Sequence, residues 1–272
     1  MLAAAPVAAE PPARETAPPQ EQSTGRATDL GAAFTASRAA LGRQIGDHTL
    51  VNRDGRSARL RDLRGRPLVV NMVYTSCFDF CPTLTAVLAP KVEIAREALG
   101  RGAFVVLTVG FDARNDTPDR MRAYAHALGL GDAEWLFLSG DERTVAALAA
   151  DIGFVYRRTA AGFDHSALTV VVDGNGRVHR QIYGTDYSVP ELVEPLKALV
   201  LGRPERAIGL SGLAERFRIW CTVFDPRTGR YRFDYSLILS AVIGTVSLAA
   251  FGVFLAREWR KTRRAPRPPA EP

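Results

Sequence analysis

The sequence predicts an α/β domain, with a central sheet flanked by helices, followed by a C-terminal transmembrane helix. Three observations predict it. PLVVNMVY (67–74) and FVVLTVGF (104–111) are continuous apolar runs, the pattern of strands buried on both faces. Segments of helical spacing alternate with such runs, which places helices on both sides of the sheet. Finally, residues 237–256, LILSAVIGTVSLAAFGVFLA, contain no charge. As a helix they extend roughly 30 Å, the thickness of a bilayer core.

Taken in order, RDGRSARL (53–60) reads as a turn and strand, with Asp54-Gly55 as the turn pair. The strand at 67–74 follows. Leu84, Val87, Leu88, Val92, Ala95 and Leu99 mark a helix over 83–99 that stops at Gly100. After the strand at 104–111, Thr117 caps a helix with Pro118 in its first position, running to Leu128. WLFL (135–138) is a short strand and 141–151 a helix. GFVYR (153–157), LTVVVD (168–173) and RVHRQIY (177–183) read as strands, the last two joined at Asp173-Gly174-Asn175-Gly176. A final helix begins near Pro190 and ends by Gly202. Between two short aromatic stretches, Phe224 to Gly229 forms the turn of a small hairpin.

These elements define a folded domain over 41–203 and a linker over 204–236. Residues 1–40, rich in Ala, Pro, Glu and Thr, are expected to be a disordered tether or a signal-peptide remnant. MLAAAPVAAEPP has the small residues of a cleavage region but neither a basic start nor an apolar centre. Tyr231, Phe233 and Tyr235 before the apolar segment, and Trp259 after it, are placed as interface anchors.

Composition narrows the function. With 47% hydrophobic and 24% charged residues, wholesale disorder is excluded. Three Cys are too few for a disulfide-dense scaffold, and three Cys with four His exclude a zinc-finger array. Of the net charge of +6, the tail 257–272 supplies +4, from six Arg and Lys against Glu258 and Glu271. The remainder carries only +2, so nucleic acid is not an expected partner. A basic tail beside a membrane helix stays cytoplasmic, which puts the domain on the periplasmic side of a bacterial inner membrane; the alternative is that the chain has no export signal and the domain is cytoplasmic.

The chemistry concentrates in Tyr74-Thr75-Ser76-Cys77-Phe78-Asp79-Phe80-Cys81-Pro82. A buried strand ends, and two cysteines follow at C-x3-C spacing as a helix begins. Cys77 lies near the helix start, where unpaired N–H groups favour a thiolate. In a helix, positions i and i+4 share a face, so both sulfurs converge. Such a pair forms a disulfide or holds a soft metal. His165, in Phe163-Asp164-His165-Ser166, lies in a loop feeding the strand LTVVVD, which can come beside the strand end that carries Cys77. Two cysteines and one histidine suit trigonal copper better than structural zinc, which takes four ligands. The site would be neutral with Cu(II) and singly negative with Cu(I). Asp116 is explained by turn formation ahead of the Thr117 cap, whereas Asp112 is free to face the site. His48, His126 and His179 occupy exposed positions without a cysteine partner, and Cys221 is an unreactive, partly buried thiol. The lack of Cys-x-x-Cys-His leaves covalent haem unsupported.

YTSCFDFCP, FDARNDTP and DHSALTVVVD, in this order, resemble the SCO (SenC-type) family of membrane-anchored copper proteins over about residues 41–203. The resemblance implies a thioredoxin-like fold. It also implies one copper, Cu(I) or Cu(II), held by Cys77, Cys81 and His165, with Asp112 tuning the site or docking a partner. The implied role is assembly of the copper A centre of cytochrome c oxidase subunit II, by copper delivery or by reduction of its cysteines. A periplasmic copper donor or thiol reductant would serve it, and membrane lipid would hold the helix. Many family members carry an N-terminal anchor; here the evident anchor is C-terminal. The alternative is a thiol–disulfide oxidoreductase that uses Cys77 and Cys81 without obligatory copper, although redox pairs are more usually spaced C-x-x-C. A thiol peroxidase fits less well, since nothing singles out one sulfur.

Overall fold

A computed structural model describes residues 34–76, 80–131, 134–160, 162–202, 214 and 217–264. The domain is built on a seven-stranded sheet. Its strands are β1 (Thr49–Asn52), β2 (Ser57–Arg59), β3 (Leu68–Val73), β4 (Val105–Gly110), β5 (Trp135–Ser139), β8 (Leu168–Val172) and β9 (Val178–Tyr183), in spatial order β2-β1-β5-β4-β3-β8-β9. β3, β4 and β5 are parallel, and the other pairings are antiparallel. Every residue of β3 and β4 is buried, as their continuous apolar runs require.

The helices are α1 (Phe80–Leu99), α2 (Pro118–Ala127), α3 (Glu142–Ile152) and α4 (Val189–Leu201). Side-chain alternation sorts them between the faces. Val69 and Val73 of β3 join Leu88 and Val92 of α1, Met121 of α2 and Leu192 of α4 in one apolar cluster. Leu68, Val70 and Met72 point the other way, to Val145, Leu148 and Ile152 of α3. α2 and α3 start as capping chemistry dictates: Thr117 Oγ1 accepts from Arg120 N–H and Asp141 Oδ1 from Thr144 N–H.

A chain of buried hydrogen bonds crosses the first face. Thr108 Oγ1 donates to Asn71 Oδ1 at 2.7 Å and accepts from Trp135 Nε1 at 2.9 Å. Asn71 Nδ2 donates to Thr85 Oγ1 at 3.2 Å. The polar centres of β3 and β4 thus satisfy one another, bind the start of β5 and reach α1.

Four expectations are corrected. The strand expected at 153–157 begins later, because Gly153 closes α3 in the left-handed region at φ 75° and Phe154 turns into the core. The strand is β6 (Tyr156–Thr159), and it pairs with β7 (Gly162–His165) in a separate hairpin outside the main sheet. His165 therefore ends a strand and does not lie in a loop. His48 is not exposed: its Nε2 lies 2.7 Å from the Asp151 carboxylate. The packed domain starts before residue 41, since Ser37 and Ala40 are buried and the Phe34 ring meets that of Tyr183 at a tilt, with centroids 4.9 Å apart.

The expected hairpin forms as β10 (Thr222–Asp225) and β11 (Arg230–Phe233). It does not hang free within its linker. Ile219 enters the first-face cluster, Tyr231 packs beside it, and Tyr231 Oη donates to Glu194 at 2.6 Å. Lys197 Nζ donates to the Thr222 carbonyl. Tyr231 thus faces the domain and is not available as an interface anchor. Cys221 is fully buried as a free thiol. α5 (Ser236–Arg264) follows, with an apolar stretch over Leu239–Arg257 that none of the other described residues buries.

Candidate metal centre

Strand direction gathers the site. β3 and β4 are parallel, so both end at the same edge, and Phe111 N–H donates to Val73 O at 2.8 Å. β8 runs antiparallel to β3, so the chain that enters β8 from His165 arrives at that edge. This edge, where strand direction and helix starts coincide, is where α/β sheets place ligands. From β3 the chain passes through Tyr74, Thr75 and Ser76 towards Cys77. Cys77 lies outside the described residues. Cys81 lies in the first turn of α1, and its side chain lies outside them too.

Asp116 fastens the segment ahead of Cys77. Its Oδ1 accepts from both the backbone N–H and the hydroxyl of Thr75, each at 2.7 Å, and its Oδ2 accepts from Asp112 N–H at 2.8 Å. It is only 1% exposed. Burial pushes its carboxyl up from the ordinary value, and the bonds from Thr75 and Asp112 oppose that shift. Gly110 makes the approach feasible: a Cβ there would lie 2.4 Å from Asp116 Cβ. The sequence reading missed this clamp. Thr117 already caps α2, which left Asp116 an ordinary turn role.

His165 sits in an aromatic recess. Its ring meets Tyr74 edge-on at 5.8 Å, Phe111 at 5.3 Å and Phe154 at 5.9 Å. Tyr74 is three residues before Cys77, so the structure places His165 against the segment that leads to that cysteine. His165 Nδ1 lies 3.1 Å from Ser166 O. A carbonyl only accepts, so Nδ1 carries the hydrogen, and in the neutral ring Nε2 holds the lone pair. This backbone bond fixes the tautomer and orientation that a metal-ligating histidine needs.

Asp112 is buried, and its partners are specific. Its Oδ1 accepts from Arg158 Nη2 at 2.9 Å and its Oδ2 from Asn115 Nδ2 at 2.7 Å. Arg158 in β6 also lies over the Phe163 ring at 4.5 Å. Asp112 thus ties the β4 loop to the hairpin that carries His165. Arg158 was invisible as a site-supporting residue, because no local pattern marks it. His126 and His179 are not among these residues.

A family model for SCO1/SenC matches residues 37–201. A SCO2-like protein from Rickettsia felis is 26% identical over 159 residues, covering 56% of this chain and 75% of the relative. Among solved structures, BsSco is described as a member of the Sco family of cytochrome c oxidase assembly proteins in which a disulfide switch was identified. It aligns with TM-score 0.52 and 19% identity, over 60% of this chain and 96% of its own. Yeast Sco1 with copper bound aligns with TM-score 0.50 and 19% identity, over 63% and 98%. The last two likenesses are of fold, and the fold is thioredoxin-like. With the family model covering well over half of its residues, the chain belongs to the SCO1/SenC family.

Proposed function

We propose that this chain is a membrane-anchored, copper-binding assembly factor. It holds one copper with Cys77, Cys81 and His165, and it delivers copper to, or prepares the cysteines of, the copper A site of cytochrome c oxidase subunit II. The supporting observation is the held imidazole. His165 is oriented by Ser166 O beside the segment that leads to Cys77, at the edge where α1 carries Cys81. Two thiolates and a neutral imidazole form a soft donor set that suits copper in either oxidation state. Yeast Sco1, which shares the fold, is a copper-bound precedent.

In this reading the chain's own residues do three things. Thiolates at a helix start supply soft ligands that exchange with the cysteines of a target. The Asp116 clamp and the Asp112–Arg158 pair fix the two loops and the hairpin that must meet. α5 spans the inner membrane once, with the domain in the periplasm, within reach of an oxidase subunit and of a copper donor or thiol reductant.

A second reading, thiol–disulfide exchange by Cys77 and Cys81 on a target disulfide, is favoured by the disulfide switch of BsSco. The two separate in cells that lack this protein. Copper delivery predicts membranes that keep haem absorption but lose the copper A signal. Wild type restores that signal, whereas His165→Ala, Cys77→Ala and Cys81→Ala do not. Full restoration by His165→Ala, with both cysteine variants failing, would reject delivery in favour of thiol exchange.

A further inference from the structure

The segment ahead of α5 has two sides. Ile219 and Cys221 are buried against the domain, whereas Phe217 is 47% and Trp220 58% exposed. Val223, next on the outer side, is 52% exposed. Large aromatics turned to water on a segment that is otherwise docked mark a surface with a partner.

The geometry sets their height relative to the bilayer. Asp234 N–H donates to Cys221 O at 2.8 Å, so the backbone beside Trp220 lies level with the residue two before α5. Asp234 Oδ1 accepts from Ser236 N–H at 2.8 Å, which closes the start of the helix. The apolar span begins at Leu239. Three helical residues precede it, about 4.5 Å at the usual rise. The headgroup layer is roughly 5–7 Å deep on each side of the hydrocarbon core. Tyr235, four residues before Leu239, falls within that layer, and Asp234, five residues before it and at least about 7.5 Å out, lies at its outer boundary, level with the backbone beside Trp220. Tyr235 is 71% exposed, and Arg218, between Phe217 and Trp220, is exposed as well.

We infer that Phe217, Trp220 and Tyr235 form a membrane-docking surface of the folded domain, seated in the headgroup layer of the same bilayer that α5 enters. The inference rests on α5 spanning that bilayer. The occupant is lipid because the patch continues directly into the apolar helix and carries the aromatic-and-arginine composition of an interfacial belt. Ile219 and Tyr231 join the patch to the core, so it fixes the height of the domain above the membrane; the domain does not swing on a free linker.

The three tryptophans make this testable in the full-length protein. Trp135 is buried in the core, Trp220 lies on the patch, and Trp259 lies beyond the far end of the apolar span. The protein is reconstituted in phosphatidylethanolamine–phosphatidylglycerol vesicles, with or without lipids brominated near the headgroup. In Trp259→Phe, emission comes from Trp135 and Trp220, and we expect bromolipid to remove roughly half of it. That quenching disappears in Trp220→Phe/Trp259→Phe. Trp220→Phe alone reports on Trp259 and hence on the helix. Quenching of Trp259 without quenching of Trp220, together with ready quenching of Trp220 by aqueous iodide, would overturn the docking surface and leave the span intact. Failure to quench Trp259 would overturn the span, and the docking surface with it.

Discussion

At the residue scale, Asp116 is the side chain on which the order of the site depends most. One carboxylate receives three hydrogen bonds, two of them from the residue two positions before Cys77. Asp116→Asn keeps the shape but turns an amide NH2 towards N–H donors. We expect a loss of about 1–3 kcal/mol in stability, the cost of a buried donor without an acceptor. Copper affinity should fall as well, measured by denaturant melts and metal competition on one preparation. The pH dependence carries a sign. Burial raises the folded pKa of this carboxyl above 3.8, so its stabilising contribution is fully present below that value. It is lost as pH rises through the folded pKa. Asp116→Asn should remove that part of the profile, so the stability advantage of wild type over the variant should be larger at acid pH than at neutral pH; a wild-type profile identical in shape to that of the variant would contradict the raised pKa.

At the scale of elements, the chain Trp135–Thr108–Asn71–Thr85 binds three parallel strands to α1, the helix that carries Cys81. Thr108→Val is nearly isosteric, so it opens no cavity. It leaves the Trp135 indole N–H and Asn71 Oδ1 without this partner in the core. The expected cost is about 2–4 kcal/mol, read as a lowered midpoint of thermal or urea unfolding. A change within a few tenths of a kcal/mol would mean that the network is not a structural tie. The strands themselves were legible in the sequence, because PLVVNMVY and FVVLTVGF are too uniformly apolar for anything but two-sided burial. The polar tie was not. Asn71 and Thr108 sit inside those runs, and only strand register shows that they meet. The β6–β7 hairpin escaped for the opposite reason: Arg157, Arg158 and Thr159 are exposed, so the hairpin lacks the apolar pattern by which a strand is read.

At the scale of the whole molecule, the chain is a thioredoxin-like domain joined through a docked hairpin to one long apolar helix. The helix was plain from composition. The docking was not, because Ile219 and Tyr231 belong to pieces too short to register as core until tertiary contact gathers them. The same limit hid the partners of the site. Cys77, Cys81 and His165 stand out by type and spacing, whereas Asp116 and Arg158 are ordinary residues until the fold sets them at one sheet edge. The central claim is a copper site made by those two cysteines and that histidine. Its most direct test is titration of the reduced full-length protein in detergent with Cu(I) and Cu(II), beside Cys77→Ala, Cys81→Ala and His165→Ala. Stoichiometry is read against a competing chelator and sulfur-to-copper charge transfer by absorption. About one copper per wild-type chain is expected, with a loss of roughly tenfold or more in affinity for each variant. Binding by His165→Ala equal to that of wild type would contradict that claim.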